Sequence, residues 1–258
     1  MEQFEVLDTR PENLADYGVC GYKNAAKQEE LRRKIDWYQI RYSEGLRIKT
    51  LYSEEAGTQG MIEYVPGEYA WRPVNAAGYM FIHCLFVGFK KVYKGKGLAG
   101  LLLAECRRDA REAGFMGIAA VTRKGSFMAG KEFFLKHGFE VADSAPPDFE
   151  LVVKRFGADT GSISFPKDWD ERAAAYGEGL TIIRSDQCPY SVKNVQAIIT
   201  TAEEEYGIKA RLVELEKPSD LRQSPSPFGT FALIYDGKVI AYHPISNRRF
   251  ANIMNKIV

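Results

Sequence analysis

The sequence predicts an α/β protein made of two units, a larger one with a mixed sheet and a smaller one following it. Three observations carry the prediction. An apolar run at 80–87 has the continuity of a buried strand, and it leads through the glycine-rich stretch Lys94-Gly95-Lys96-Gly97-Leu98-Ala99-Gly100 straight into an amphipathic helix. Beyond Arg155 the periodicity lapses among Gly157, Gly161, Pro166 and Gly177. From Leu180 a new series of strand, helix, strand and hairpin begins.

Each element has its own signal. Residues 3–8 read as a strand, and Pro11 suits the first turn of a helix. A helix over 25–42 places Leu31, Ile35 and Tyr38 on one face, with Lys27, Glu30, Arg33 and Lys34 largely turned elsewhere. Strands follow at 46–52 and 58–65, ended by the Pro66-Gly67 turn, and then comes the strand at 80–87. The helix over 98–113 carries the stripe Leu98, Leu102, Cys106, Ala110 and Ala113, and Gly114 ends it. A strand at 116–122, a helix at 128–137 closed by Gly138, and strands at 139–142 and 148–154 complete a unit over 1–155. Residues 156–178 read as a linker with a short helix at 168–175. In the unit over 179–258, strands are expected at 180–184 and 209–214 around a helix at 190–205, followed by a loop at 219–228. A hairpin of 231–235 and 239–243 turns on Asp236-Gly237, and 247–257 forms a closing helix.

Composition narrows the function. Apolar residues are 45% and charged residues 27%, so a packed core is expected, and a net charge of +1 argues against a nucleic-acid partner. No apolar run approaches the roughly 20 residues of a membrane helix, and Met1-Glu2-Gln3-Phe4-Glu5 lacks secretory-signal character. Cys20, Cys84, Cys106 and Cys188 are scattered with no Cys-x-x-Cys pair, which argues against a metal site or disulfide framework and suits a reducing cytoplasm.

A strand, a glycine loop and a helix together make an anion site, because small residues let backbone N–H groups approach a phosphate and the first helical turn points unpaired amides at it. Glycines alone also make ordinary turns. Lys94-Gly95-Lys96-Gly97-Leu98-Ala99, with Phe133-Phe134-Leu135-Lys136-His137-Gly138-Phe139 downstream, resembles the two motifs of the GNAT family of N-acetyltransferases. The resemblance spans about residues 3–155 and implies direct acetyl transfer from acetyl-CoA, without a metal, to an amine of a small molecule or peptide. It assigns the pyrophosphate to Lys94, Gly95, Lys96, Gly97, Leu98, Ala99 and Gly100, and the pantetheine arm to Leu85, Phe86 and Val87. An amine nucleophile must lose a proton, and His83 on the thioester-lining strand is the candidate base, with Glu63 its rival. The family's proton-donating tyrosine is replaced by Phe134, and its asparagine by Phe127, with Ser126 as the substitute. Glu63, Tyr64, Glu68, Tyr69 and Trp71 cluster near Pro66-Gly67, either to hold a cationic amine or as hairpin packing.

In the second unit, Cys188-Pro189-Tyr190-Ser191 resembles the active-site entry of glutaredoxins, and the element order resembles a thioredoxin-like fold. A cysteine at a helix N-terminus is stabilised as thiolate, which makes Cys188 a candidate reactive group. Ser191 stands where a resolving cysteine belongs, and Gly229 where the thioredoxin fold has its cis-proline. The fusion, with His243-Pro244-Ile245-Ser246-Asn247, resembles the YoaP type of GNAT protein. Two readings of this unit stand open: a reactive thiol, or a scaffold that binds the acceptor or forms a homodimer surface.

Overall fold

The computed structural model describes residues 3–88, 91–93, 95–158 and 161–258. The chain divides into two compact units, Met1–Ala70 with Val74–Phe165, and Trp71–Pro73 with Pro166–Val258.

In the first unit the order is β1 (Glu5–Thr9), α1 (Leu14–Tyr17), α2 (Glu29–Arg41), β2 (Arg47–Ser53), β3 (Gly57–Pro66), β4 (Tyr79–Val87), α3 (Leu98–Glu112), β5 (Gly117–Thr122), α4 (Lys131–Lys136), β6 (Glu140–Ala145) and β7 (Phe149–Arg155). The strands form one sheet in the order β1-β2-β3-β4-β5-β7-β6. Of its pairs, β4–β5 is parallel and the others are antiparallel. A parallel pair cannot be joined by a tight turn, and α3 is the crossover that links its strands. The α3 stripe of Leu98, Leu102, Leu103, Cys106 and Ala110 packs with Ile62, Tyr64, Met80, Ile82, Ile118 and Val152 from the sheet.

On α2, Leu31, Trp37 and Tyr38 are buried, and the Tyr38 hydroxyl donates to the Thr9 carbonyl at 2.6 Å. Lys34, expected to turn elsewhere, is buried beside them. It lies three residues after Leu31 and four before Tyr38, so helical geometry puts it on their face. Tyr64 points into the α3 core and donates to Asp109 Oδ2 at 2.5 Å, while Lys49 reaches the same oxygen at 3.1 Å. Glu68 accepts the Gly78 N–H, and Trp71 belongs to the second unit. Glu63, Tyr64, Glu68 and Trp71 thus hold separate positions, and Tyr69 is exposed. The stretch after Arg155, expected as linker, begins inside the first unit: Phe156 N–H donates to Met116, Ser164 bridges Asn75, and Ile163 and Phe165 are buried.

The second unit contains α5 (Trp169–Ala174), β8 (Leu180–Arg184), α6 (Val195–Tyr206), β9 (Arg211–Glu214), α7 (Pro218–Arg222), β10 (Phe231–Tyr235), β11 (Lys238–Ala241) and α8 (Asn247–Met254). Its sheet order is β11-β10-β8-β9, with β8–β9 parallel and β10 antiparallel to both β8 and β11. Asp236 and Gly237, at φ +47° and +71°, make the two-residue hairpin turn expected of that dipeptide. The helix expected from 190 instead starts at Val195, after a separate 3-10 turn at Pro189–Ser191. Within the expected loop at 219–228, α7 forms because Pro218 opens it and the Asp220 carboxylate accepts the Lys217 N–H at 3.0 Å. Among the described residues no helix is long and apolar enough to cross a membrane, and no group of three His, Cys, Asp or Glu side chains is placed to hold a metal ion.

The Tyr64–Asp109 bond ties β3 to α3 across the core. A charge-assisted bond of this kind contributes about 1.5–3 kcal/mol, so Tyr64→Phe is expected to lower the stability of the first unit by that amount in urea unfolding followed by circular dichroism.

Candidate active site

The site begins where the parallel pair opens. β4 and β5 are paired from Tyr79↔Gly117 to Ile82↔Ala120 and no further, although β4 runs on to Val87. Beyond Ala120 β5 stays with β7, and the β4 segment from Cys84 to Val87 is only half-buried. On the other side of β4 the register with β3 steps from Glu63↔Cys84 to Tyr64↔Ile82, so His83 is the extra residue of a β-bulge. The bulge bends β4 where the pair parts, and His83 occupies the bend.

Leu85 and Val87 pack toward α3. His83 and Glu63 meet on the opposite face, where α2 lies. His83 Nδ1 is 3.1 Å from Glu63 Oε1, and Glu63 Oε2 is ion-paired with Lys34. All three side chains are buried, at 0% exposure for Lys34 and His83 and 1% for Glu63. The Lys34 ammonium also lies 4.1 Å from the centre of a Trp37 ring. Burial works against charge on Glu63, but the Lys34 cation and the His83 hydrogen bond outweigh it and hold the carboxyl down at about 2. An ionised carboxylate only accepts hydrogen bonds, so His83 carries a proton on Nδ1. Phe81 stacks edge-on against His83 at 5.8 Å.

At the start of α3, Gly97 is the capping residue with φ +76°, and Gly95 has the same φ. L-residues rarely hold that conformation, and open space surrounds both Cα atoms. Gly95, Lys96 and Gly97 are exposed, and no acidic side chain stands in the first turn of α3. The amides of Gly100 and Leu101 bond back to the Gly97 carbonyl, so the turn is formed and its preceding N–H groups lie at the helix mouth. Leu98 is buried, Ala99 and Gly100 half-buried. Lys94, also assigned to this loop from the sequence, lies outside the described residues.

Other expected residues are more distant in role. Ser126 is exposed in the loop after β5, next to Phe127, which has φ +69°. Phe134 is buried edge-on against Phe139 at 5.1 Å, a core position with no proton to give. A cavity of about 230 Å³ is lined by Tyr17, Cys20, Tyr22, Gln59, Met61 and Phe86, among others. Met61 is two residues from Glu63 on the same strand, hence on the same face of the sheet. A larger cavity of about 700 Å³ lies along Ser144–Glu150 with Lys124 and Lys131, apart from the bulge. Cys188 is in the second unit, half-buried and outside any disulfide, at the start of the 3-10 turn rather than of α6. The placement at an α-helix terminus expected for it is therefore not realised.

Over nearly its whole length the chain is similar to a bacterial N-acetyltransferase. That relative is YoaP of Bacillus subtilis (strain 168), itself described as uncharacterized, 28% identical over 254 residues that make up 97% of this chain and 98% of the relative. A family model described as YoaP-like matches residues 210–252. Among solved structures, the PaiA N-acetyltransferase of Thermoplasma acidophilum in complex with coenzyme A aligns at 17% identity and TM-score 0.41, over 60% of this chain and 99% of that one. A GNAT-family acetyltransferase of Brucella melitensis in complex with acetyl-CoA aligns at 14% identity and TM-score 0.40, over 64% and 97%.

Sequence reasoning found His83 and Glu63 as competitors; the fold makes them partners. It missed Lys34, although the spacing to Leu31 and Tyr38 carried the signal.

The Glu63 carboxyl is depressed below its ordinary value of 4.5 in the folded protein, so it contributes stability above that pH and loses it as pH falls toward about 2. Acid titration of unfolding is expected to show this loss in the parent chain and a flatter profile over the same window in the double variant Lys34→Met, Glu63→Gln. Glu63→Ala alone, which strands a buried cation, is expected to cost about 3–5 kcal/mol in urea unfolding.

Proposed function

We propose that the first unit is an N-acetyltransferase that moves an acetyl group from acetyl-CoA directly to an amine of a small molecule or peptide. The observation that carries this reading is the meeting of three features at one end of the sheet: the opened β4–β5 pair, the bulge at His83, and the glycine-capped N-terminus of α3. The similarity over 97% of the chain to a protein named as an N-acetyltransferase supports it.

The loop suits a pyrophosphate. Gly95 and Gly97 present backbone without side chains, the first turn of α3 supplies amides, and Lys96 adds positive charge without a competing acid nearby. The backbone of Leu85, Phe86 and Val87, beyond the end of the β5 pairing, takes the amides of the pantetheine arm. The thioester then lies at the bulge. The acceptor amine attacks the thioester carbonyl, a C–N bond forms, and the C–S bond breaks. The amine proton passes to His83, directly or through water, since the imidazole is buried. With Phe134 in the tyrosine position, the coenzyme leaves as a thiolate; an ordinary thiol has a pKa of about 8.5, which makes that departure feasible. The cavity beside Met61 and Phe86 is the acceptor's entry.

For the second unit we read a thioredoxin-like fold over 179–258. The strand order β11-β10-β8-β9 and the position of Cys188 directly after β8 support it. This favours a second reading in which Cys188 carries thiol chemistry of its own. Four free thiols suit a reducing, cytoplasmic setting.

Calorimetry is expected to show saturable acetyl-CoA binding. Gly97→Ala, which forces an L-residue to φ +76° at a cost of about 1–2 kcal/mol, weakens that binding; absence of binding in the parent chain overturns the proposal. An amine library screened by thiol release, with Cys188→Ser to remove the protein's own reactive thiol, identifies the acceptor and shows whether transfer needs that cysteine. With an acceptor in hand, His83→Ala is expected to lower kcat by about 10²–10⁴-fold while acetyl-CoA binding is retained.

A further inference from the structure

We propose that Arg107 and Lys154, with Arg111 beside them, form a second anion site in the first unit, which takes a single phosphate group against the side of α3. Two sources carry that chemistry, the ribose phosphate of coenzyme A and free inorganic phosphate. Only the first source depends on the chain being an acetyl-CoA enzyme.

Gly100, Leu103, Arg107 and Arg111 follow one another on α3 at steps of three and four residues, so they share a face of the helix. Arg107 is two turns from Gly100, about 10 Å along the axis. Lys154 lies on the α3 side of the sheet, because it stands two residues after Val152 on β7 and Val152 packs in the α3 core. Between these elements is a cavity of about 60 Å³, lined by Gly100, Leu103, Arg107, Ile118, His137 and Lys154 among others. Pockets for drug-sized ligands begin at roughly 300 Å³, so this one admits a small oxyanion and excludes a nucleotide base. Leu103 and Ile118 are buried, Lys154 is half-buried and Arg107 is exposed, so the wall turns from apolar to cationic toward solvent.

The charge pattern points to the ligand. Elsewhere on α3 cations and acids are interleaved, and Arg108 is ion-paired with Glu105, Asp109 and Glu112. Among the described residues Arg107, Arg111 and Lys154 take part in no ion pair. Burial holds the Lys154 ammonium below its ordinary range, and the Arg107 and Arg111 charges push it the same way. Like charges gathered in this manner repel one another, and a bound phosphate relieves the repulsion. Arg111 is stacked over Phe156 at 4.1 Å, which leaves Arg107 and Lys154 facing the cavity. Lys154 donates to the His137 carbonyl, and an ammonium has further N–H donors for an oxyanion. The planar fork of Arg107 suits two phosphate oxygens. His137 is a fixed wall: its Nδ1 donates to the Phe133 carbonyl at 2.8 Å, and its Nε2 lies 3.2 Å from where a Cβ on Gly100 would stand. Gly100 is thus a glycine for the close approach of His137.

The test uses the full chain with inorganic phosphate, coenzyme A and 3′-dephospho-coenzyme A as probes. Calorimetry gives the two coenzyme affinities. Phosphate is read as a rise in Tm over chloride of equal ionic strength, which removes plain screening of the cations. If the ribose phosphate is the ligand, the dephospho form binds the parent chain about tenfold more weakly. Arg107→Glu then weakens coenzyme A by a similar factor and leaves the dephospho form unchanged. If free phosphate is the ligand, the two coenzymes bind alike, and phosphate raises Tm in the parent chain but not in Arg107→Glu. Lys154→Met repeats each comparison from β7, should the charge reversal disturb α3. A phosphate effect or a coenzyme preference that survives in both variants overturns the proposal, and so does the absence of both in the parent chain. Loss of all coenzyme binding overturns the acetyl-CoA reading instead, and the phosphate comparison still decides this site.

Discussion

The geometry of the first unit follows from one parallel strand pair in an otherwise antiparallel sheet. A parallel connection needs a crossover, and α3 supplies it, so the strand that ends at Val87 must be followed by a loop and the N-terminus of a helix. The pair then separates after Ile82 and Ala120, because β5 remains with β7 while the bulge at His83 bends β4 toward β3. Unsatisfied helix amides, a glycine turn and an opened strand edge therefore arise together. None of these features is distinctive alone, and they coincide at one end of β4.

The two faces of the sheet are chemically different. Toward α3 the side chains form an apolar core, with one polar tie between Tyr64, Asp109 and Lys49. Toward α2 the interior holds the charged cluster of Lys34, Glu63 and His83. A buried ion pair adds little net stability relative to apolar packing, because desolvating the charges offsets their attraction. That division leaves the glycine loop beside α3 and His83 on the side of α2, with the bent strand between them.

Much of the fold was legible in the chain. Apolar continuity marked β4 and β5, the stripe from Leu98 to Ala110 marked α3, and Asp236-Gly237 marked the hairpin of the second unit. The errors have local causes. The helix expected over 190–205 takes in Tyr190 and Ser191, which belong to a separate 3-10 turn, because periodicity does not register that turn before the helix starts at Val195. The stretch 156–165 looked like linker because its glycines hide the few anchoring side chains, Ile163 and Phe165. The later start of the helix expected from 190 also bears on Cys188, whose expected setting at a helix N-terminus is replaced by a short 3-10 turn.

By itself the sequence determined the glycine loop, the strand before it and the helix after it, since these depend on local backbone freedom and apolar spacing. It also nominated His83 and Glu63 by residue type. Only the tertiary structure decided that they are one unit with Lys34. A lysine on a helical face reads as solvated in a linear chain, and whether it is buried depends on what the sheet places opposite it. The bulge at His83 was likewise invisible in sequence, because a one-residue step in register is a property of two paired strands and belongs to neither alone.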